Sequence, residues 1–318
     1  MSITRTVRTK RKSALKVFRK KWQLHLFMLI PVAYIIIFAY CPMFGIQIAF
    51  KNFSIRKGIW GSEWVGMKHF ATFFTSFQFL RCLKNTLIIS LYSFAVGFPI
   101  PIFFALMMNL TRNIRFRKVV QTVTYIPHFI STVVLVGMLI QLLNPVTGLY
   151  GTLYRLFGGV GYPTAPTTVG SNFPHLYVLS GVWQGFGWSS IIYMAALSSV
   201  PLDLHEAAMV DGASRLRRVF VVDLPAIMPT ILILFIMNVG SLMSVGFEKA
   251  YLMQNNMNLE YSEVIATHVY KMTFQGTSSS RYSYSTAVGL FNSLVNGALL
   301  LMVNFITKHL SEEHISLF

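Results

Sequence analysis

The sequence predicts an all-α integral membrane fold, with six transmembrane helices and one structured cytoplasmic loop. Two compositional facts point there: 12% of residues are charged, against roughly a quarter in soluble domains, and mean hydropathy is +0.57. The third observation is the set of uncharged apolar stretches at residues 24–44, 86–110, 119–143, 176–200, 226–247 and 283–307. Each is near the ~20 residues that a helix rising 1.5 Å per residue needs to cross a bilayer. The net charge of +17 would suggest nucleic acid in a soluble protein, but its placement here suggests lipid.

Residues 1–23 form a basic tail whose first 21 residues contain nine basic and no acidic side chains. The apolar run behind it is longer than a signal peptide's core and lacks a small-x-small cleavage site, so it reads as a retained anchor with a cytoplasmic tail. Anionic headgroups suffice as the tail's partner; no nucleic acid is needed. Thr111–Lys118, TRNIRFRK, is also basic without an acid and therefore cytoplasmic. An even span count puts both termini inside. The domain organisation is then a tail (1–23), one six-span unit (24–310) containing a loop at 201–225, and a cytoplasmic end (311–318).

Residues 45–79 are too polar to span and too aromatic to float free, so they should lie along the interface as short helical pieces, with Trp60 and Trp64 at headgroup level. Residues 144–175, rich in Gly, Pro and Thr, read as an outer turn region. Six basic residues, among them Lys51 and Arg81, surround the first outer loop, where the charge bias is weakest. Cys41 and Cys82 are too few for a disulfide framework and read as small apolar side chains.

The fourth loop, VPLDLHEAAMVDGASRLRRVFVVDLPAIMP, encodes two short helices with a break. Pro201 suits a first turn, Glu206, Ala207 and Ala208 favour helix, Gly212 stops it, and Ser214 can cap the next piece, with Pro225 opening the fifth span. The spacing Glu206-Ala207-Ala208, three residues, Gly212, nine residues, Val222, one residue, Leu224-Pro225 resembles the EAA loop of ABC importer permeases, with Val for the usual Ile. The Asp211-Gly212-Ala213 form resembles carbohydrate-uptake permeases. FGIQIAFKNF, FEKAYLMQNNMNLEYSEVIATHVYK and YSTAVGLFNSLVN are similar to the oligosaccharide and polysaccharide-breakdown-product branch.

The resemblance implies a type I importer permease fold in a bacterial cell membrane. It implies a coupling helix carrying Glu206, Ala207, Ala208, Asp211, Gly212, Leu224 and Pro225, docked on a separate ABC ATPase in two copies. It further implies a second, homologous permease as the other half of the path, an extracytoplasmic sugar-binding protein, and an oligosaccharide as substrate. Gly212 and Pro225 would make the coupling helix rigid enough to act as a lever, and Glu206 would offer a carboxylate to the ATPase. The chain itself has no glycine-rich loop ending in Gly-Lys-Ser/Thr, so ATP and Mg would be bound by the partner ATPase.

Polar side chains within spans face a cavity or another helix. Asn238, Ser241, Ser244 and Glu248 recur at helical spacing in the fifth span, as do Ser285, Gly289, Asn292 and Asn296 in the sixth. Two readings stand for each: a lined path, or interhelical hydrogen bonds. In GVWQGFGW, Trp183 and Gln184 are groups that bind sugars, while Gly181 and Gly185 form GxxxG, a helix-packing signal. Tyr125, His128 and Gln141 are weaker candidates. No HExxH, GxSxG or intramembrane carboxylate pair is present, so neither a catalytic nor a metal site is expected. The rivals are a permease for another solute such as amino acids, an ion-coupled secondary transporter, which would want ionisable groups deep in the spans, and a membrane glycosyltransferase.

Overall fold

The computed structural model describes residues 21–276 and 281–310. The basic tail up to residue 20 and residues 311–318 lie outside the described residues, so the expectations placed there are untouched.

Helix α1 (Trp22–Phe50) buries nothing before Ala49. Its side chains are apolar on all sides, as a helix surrounded by hydrocarbon requires. A short antiparallel pair, β1 (Lys51–Asn52) and β2 (Glu63–Trp64), encloses α2 (Gly58–Gly61), and α3 (Lys68–Phe74) follows. The outer segment is thus part hairpin. Phe50 stacks on Trp64 and Lys51 Nζ sits 5.9 Å from both the Trp60 and Trp64 rings, so cross-strand aromatic contact competes with helix there.

The spanning core is built from α4 (Phe77–Leu110), α8 (Phe173–Ser198), α10 (Arg215–Gly240) and α14 (Arg281–Leu310). The third stretch is no straight span. Helix α5 (Ile114–Phe129) meets α6 (Thr132–Leu142) at 99°, because Pro127 ends the first piece and Ser131 caps the second through Val134 N–H. Helix α7 (Leu149–Leu156) lies in the outer turn region. Among the described residues α1, α4, α10 and α14 are each long and apolar enough to span, and the bent pair makes five if it is one span. Helix α8, with 26 residues and no charged side chain, completes six candidate segments.

At one end of the bundle α9 (Leu202–Val210) precedes α10. At the other end α11 (Phe247–Met253), α12 (Leu259–Ser262) and α13 (Ile265–Phe274) follow it. Buried Ala105, Tyr193, Leu197 and Ile227 join α4, α8 and α10 near the α9 end, while Ile89, Val136, Phe173, Ala250 and Val264 join the elements of the opposite end. One glycine lets helices approach closely: a Cβ at Gly187 would lie 2.3 Å from the Thr124 carbonyl, so α8 and α5 meet backbone to backbone. Cys41 is exposed, Cys82 is buried, and both are free.

Candidate functional site

The fifth stretch corrects one expectation. Asn238, Ser241, Ser244 and Glu248 do not form a stripe on one helix, because α10 ends at Gly240 and α11 begins at Phe247. Backbone groups freed in the break are taken up locally: Asn296 Oδ1 accepts from Met243 N–H at 2.9 Å, and Ser244 N–H donates to Ser241 O at 2.9 Å. Glycines at both ends and two serines between them favour this break over continued helix. Apolar composition alone could not reveal it.

The break opens a cavity of about 410 Å³ walled by α4, α8 and the 241–246 segment. Gln184, Asn238, Ser241 and Ser244 all line it, whereas Trp183, Glu248, Asn292 and Asn296 do not. Gln184 also donates to Ile130 O at 2.8 Å, satisfying the carbonyl at the α5–α6 bend. His128 stacks on Trp188, ring on ring at 4.5 Å. Asn296 donates to Ser244 Oγ at 2.9 Å and so braces the break from α14.

Lys249, not singled out from the sequence, is half-buried on this cavity and donates to Tyr177 O at 2.7 Å. Burial pushes its ammonium down to about 8, which leaves it mostly charged at neutral pH. Tyr177 and Lys249 are the only ionisable side chains in the lining. The signal for this lysine was its place just past a glycine-bounded end of an apolar run.

At the α9 end the 201–225 loop folds as its spacing predicts. Helix α9 stops at Gly212, whose φ is +76°; Gly212 N–H donates to Met209 O and Ala213 N–H to Ala208 O. Ser214 Oγ accepts from Arg217 N–H and starts α10, which continues through a wider turn at Val219–Asp223. Hence Leu224 and Pro225 lie one turn or more inside a helix already begun at Arg215, rather than opening it.

Glu206, Ala207 and Asp211 are exposed and Ala208 is buried against the molecule. Leu202 and Val210 are 75% and 89% exposed at the two ends of α9. Sequence reading missed Asp223: it is 2% exposed, accepts from Asn109 Nδ2 at 3.1 Å, and lies 3.3 Å from His205 Nε2. A carboxylate within the apolar run that follows Arg218 was the available signal.

Residues 97–312 match the family described as Binding-protein-dependent transport system inner membrane component. The chain belongs to this family. Across 307 residues, the permease is 42% identical to the Polygalacturonan/rhamnogalacturonan transport system permease protein YteP of Bacillus subtilis, covering 96% of this chain and 94% of that one. It is similar to a chain of a solved bacterial ABC transporter involved in the import of the acidic polysaccharide alginate, with a TM-score of 0.85, 36% identity, and coverage of 94% and 100%. A second solved structure, of a bacterial alginate ABC transporter in complex with alginate pentasaccharide-bound periplasmic protein, gives 0.84, 36%, 93% and 98%.

The permease also carries a buried polar knot between α4 and α13. Cys82, Glu263 and His268 hold their ligand-type atoms within 4.8 Å of one another. Arg81 already pairs with the Glu263 carboxylate and Tyr284 OH lies 3.2 Å from His268 Nε2, so protein groups meet the donors a cation would use. Burial works against the Glu263 charge, but His268 and Arg81 outweigh it and hold the carboxyl below its ordinary value.

Proposed function

We propose that this membrane permease carries oligosaccharides through an ATP-driven importer, as half of a path completed by a second, homologous permease. An extracytoplasmic sugar-binding protein delivers the substrate. Two copies of a cytoplasmic ABC ATPase hold the ATP and Mg, with α9 as the element they move. Both termini are cytoplasmic. The names of its relatives support the substrate class.

The observation that carries the reading is the relation between α9 and the cavity. Leu202 and Val210 expose apolar surface where a polar one would be expected at a cytoplasmic end, which suits a docking helix. Helix α9 packs on residues 219–223, and Asp223 is bonded to Asn109 of α4. A push on α9 therefore reaches the roots of both α10 and α4. Asn238 on the cavity wall is 15 residues further along α10, about 22 Å at helical rise. The two helices transmit motion at one end to the walls of the site at the other.

The test is uptake of a labelled trisaccharide by the assembled complex in proteoliposomes, with ATP inside and then without it. ATP-dependent uptake is expected. Uptake that needs only an ion gradient would replace this reading with the secondary-transporter one. A reporter active only in the cytoplasm, fused after Phe318, should be on; activity on the outer side would remove α9 from the ATPase.

A further inference from the structure

The cavity holds two polar groups that the fold does not use up. Lys249 Nζ has three N–H groups; one goes to the Tyr177 carbonyl, and the ammonium lies 4.8 Å from the centre of the Tyr177 ring. Among the described residues no carboxylate pairs with it. Ser90 is 6% exposed, lines the same cavity, and its Oγ has no hydrogen-bond partner among the described residues. A buried unpartnered hydroxyl and a half-buried ammonium without a carboxylate partner each cost the fold stability, and both face one space.

The glycines of GxxxG make room for this arrangement. A Cβ on Gly181 would lie 3.0 Å from Lys249 Nζ, and a Cβ on Gly185 would meet nothing within 4 Å. Neither glycine is where another helix's backbone comes close. Gly181 admits the ammonium, and Gly185 widens the cavity beside it. The volume of about 410 Å³ is within the ~300–1,000 Å³ of small-molecule sites.

From this geometry we infer, building on the oligosaccharide reading above, that the cavity is a binding site for a uronic-acid unit, with Lys249 as the partner of its carboxylate and Ser90 of a ring hydroxyl or the same carboxylate. An ammonium facing a carboxylate in a space lined by serines, Asn238 and Gln184 supplies charge-assisted and neutral hydrogen bonds together. A neutral sugar would fill the same space but leave the ammonium without its counter-charge, which makes Lys249 a discriminator of charge as well as a binder. The tyrosine carbonyl and ring hold the ammonium in place between passages and compete with the sugar, so binding stays weak enough for release.

The experiment compares uptake of a galacturonate trisaccharide and its carboxyl-reduced, neutral counterpart by the complete importer in phosphatidylcholine proteoliposomes, where no anionic headgroup competes. Wild type should favour the acidic probe. Lys249→Met should lower uptake of the acidic probe about tenfold or more and erase the preference, with complex yield from membranes unchanged. Should that variant assemble poorly, Lys249→Gln keeps a donor for the Tyr177 carbonyl and serves instead. Ser90→Ala should lower uptake of both probes. Wild type preferring the neutral probe, or Lys249 variants with an unchanged preference, overturns the site while leaving oligosaccharide import standing. Uptake of neither probe by wild type overturns the transport reading and the site with it.

Discussion

Asn109 Nδ2 donates to Asp223 Oδ1 at 3.1 Å, joining the last turn of one spanning helix to the root of another across 114 residues of sequence. His205 Nε2, from α9, lies 3.3 Å from the same oxygen. The carboxylate is thus a three-way junction between α9, α4 and α10. Replacing it with Ala leaves the Asn109 amide unpartnered and should cost about 1.5–3 kcal/mol, the usual loss for a hydrogen bond to a charged group. The melting temperature of the purified complex should fall accordingly, and less uptake should accompany each ATP hydrolysed. Asp223→Asn keeps an acceptor and should lose less on both measures. Unchanged coupling in the Ala variant would remove the junction from the transmission path.

Glu206 should behave in the opposite way. It is exposed on α9 and bonds nothing within the described chain, so Glu206→Ala should leave stability within about 0.5 kcal/mol of wild type. If it meets a basic group on the ATPase, substrate-stimulated hydrolysis should fall about tenfold, the equivalent of one charge-assisted contact. Wild-type stimulation in this variant would sink the assignment of Glu206 to the subunit boundary.

Gly212 isolates a backbone effect. Its φ of +76° lies in the left-handed region, yet an added Cβ would meet nothing within 4 Å, so any penalty comes from the backbone alone. That penalty is about 1–2 kcal/mol for an ordinary residue and is steeper for a β-branched one. Complex stability and transport should therefore fall in the order Asn, Ala, Val, with Asn close to wild type because it tolerates this conformation. If Gly212→Val were fully active, the rigid stop between α9 and α10 would not matter to coupling.

What the sequence reveals and what it hides follows from which interactions leave a local trace. Spans are legible because hydrocarbon excludes charge, and the 201–225 loop is legible because a helix stop at Gly212 and a cap at Ser214 depend only on neighbours. The bend at Pro127 and the break at 241–246 are hidden because apolar composition continues through both. Gln184 and Asn238 line the cavity, while Lys249, Ser90 and Asp223 gain meaning only from groups brought near by tertiary packing. Gly181 shows the limit of a motif: its spacing matches helix packing, while its neighbour is an ammonium.

Acid should weaken the polar knot around Glu263. The Glu263 carboxyl is held below its ordinary 4.5 despite burial, by the His268 hydrogen bond and the Arg81 charge. A depressed carboxylate pKa contributes stability that is fully present above the unfolded value and lost as pH falls through the folded one. The melting temperature should be insensitive to this group from pH 7 to about 5 and should drop below about 4.5. In Glu263→Gln the neutral-pH value should already be lower and this acid step absent. An equal acid slope in variant and wild type would show that the pairing stores no stability.

The last prediction separates the two asparagines of the sixth span. Asn296 accepts from Met243 N–H and donates to Ser244 Oγ, both at 2.9 Å, so it closes the backbone break beside the cavity without lining it. Asn296→Leu orphans the Met243 amide at a cost of about 1–3 kcal/mol, with no apolar gain that restores the hydrogen bond. The variant should be recovered from membranes in poor yield, while the molecules that do assemble transport at nearly the wild-type rate per complex. Asn292, one turn earlier, has a buried Oδ1 with no hydrogen-bond partner among the described residues. Asn292→Leu removes an unsatisfied carbonyl and should match or exceed wild-type yield. Yield and uptake measured on the same preparations decide the matter: normal yield with altered uptake in Asn296→Leu would move this residue from brace to substrate path.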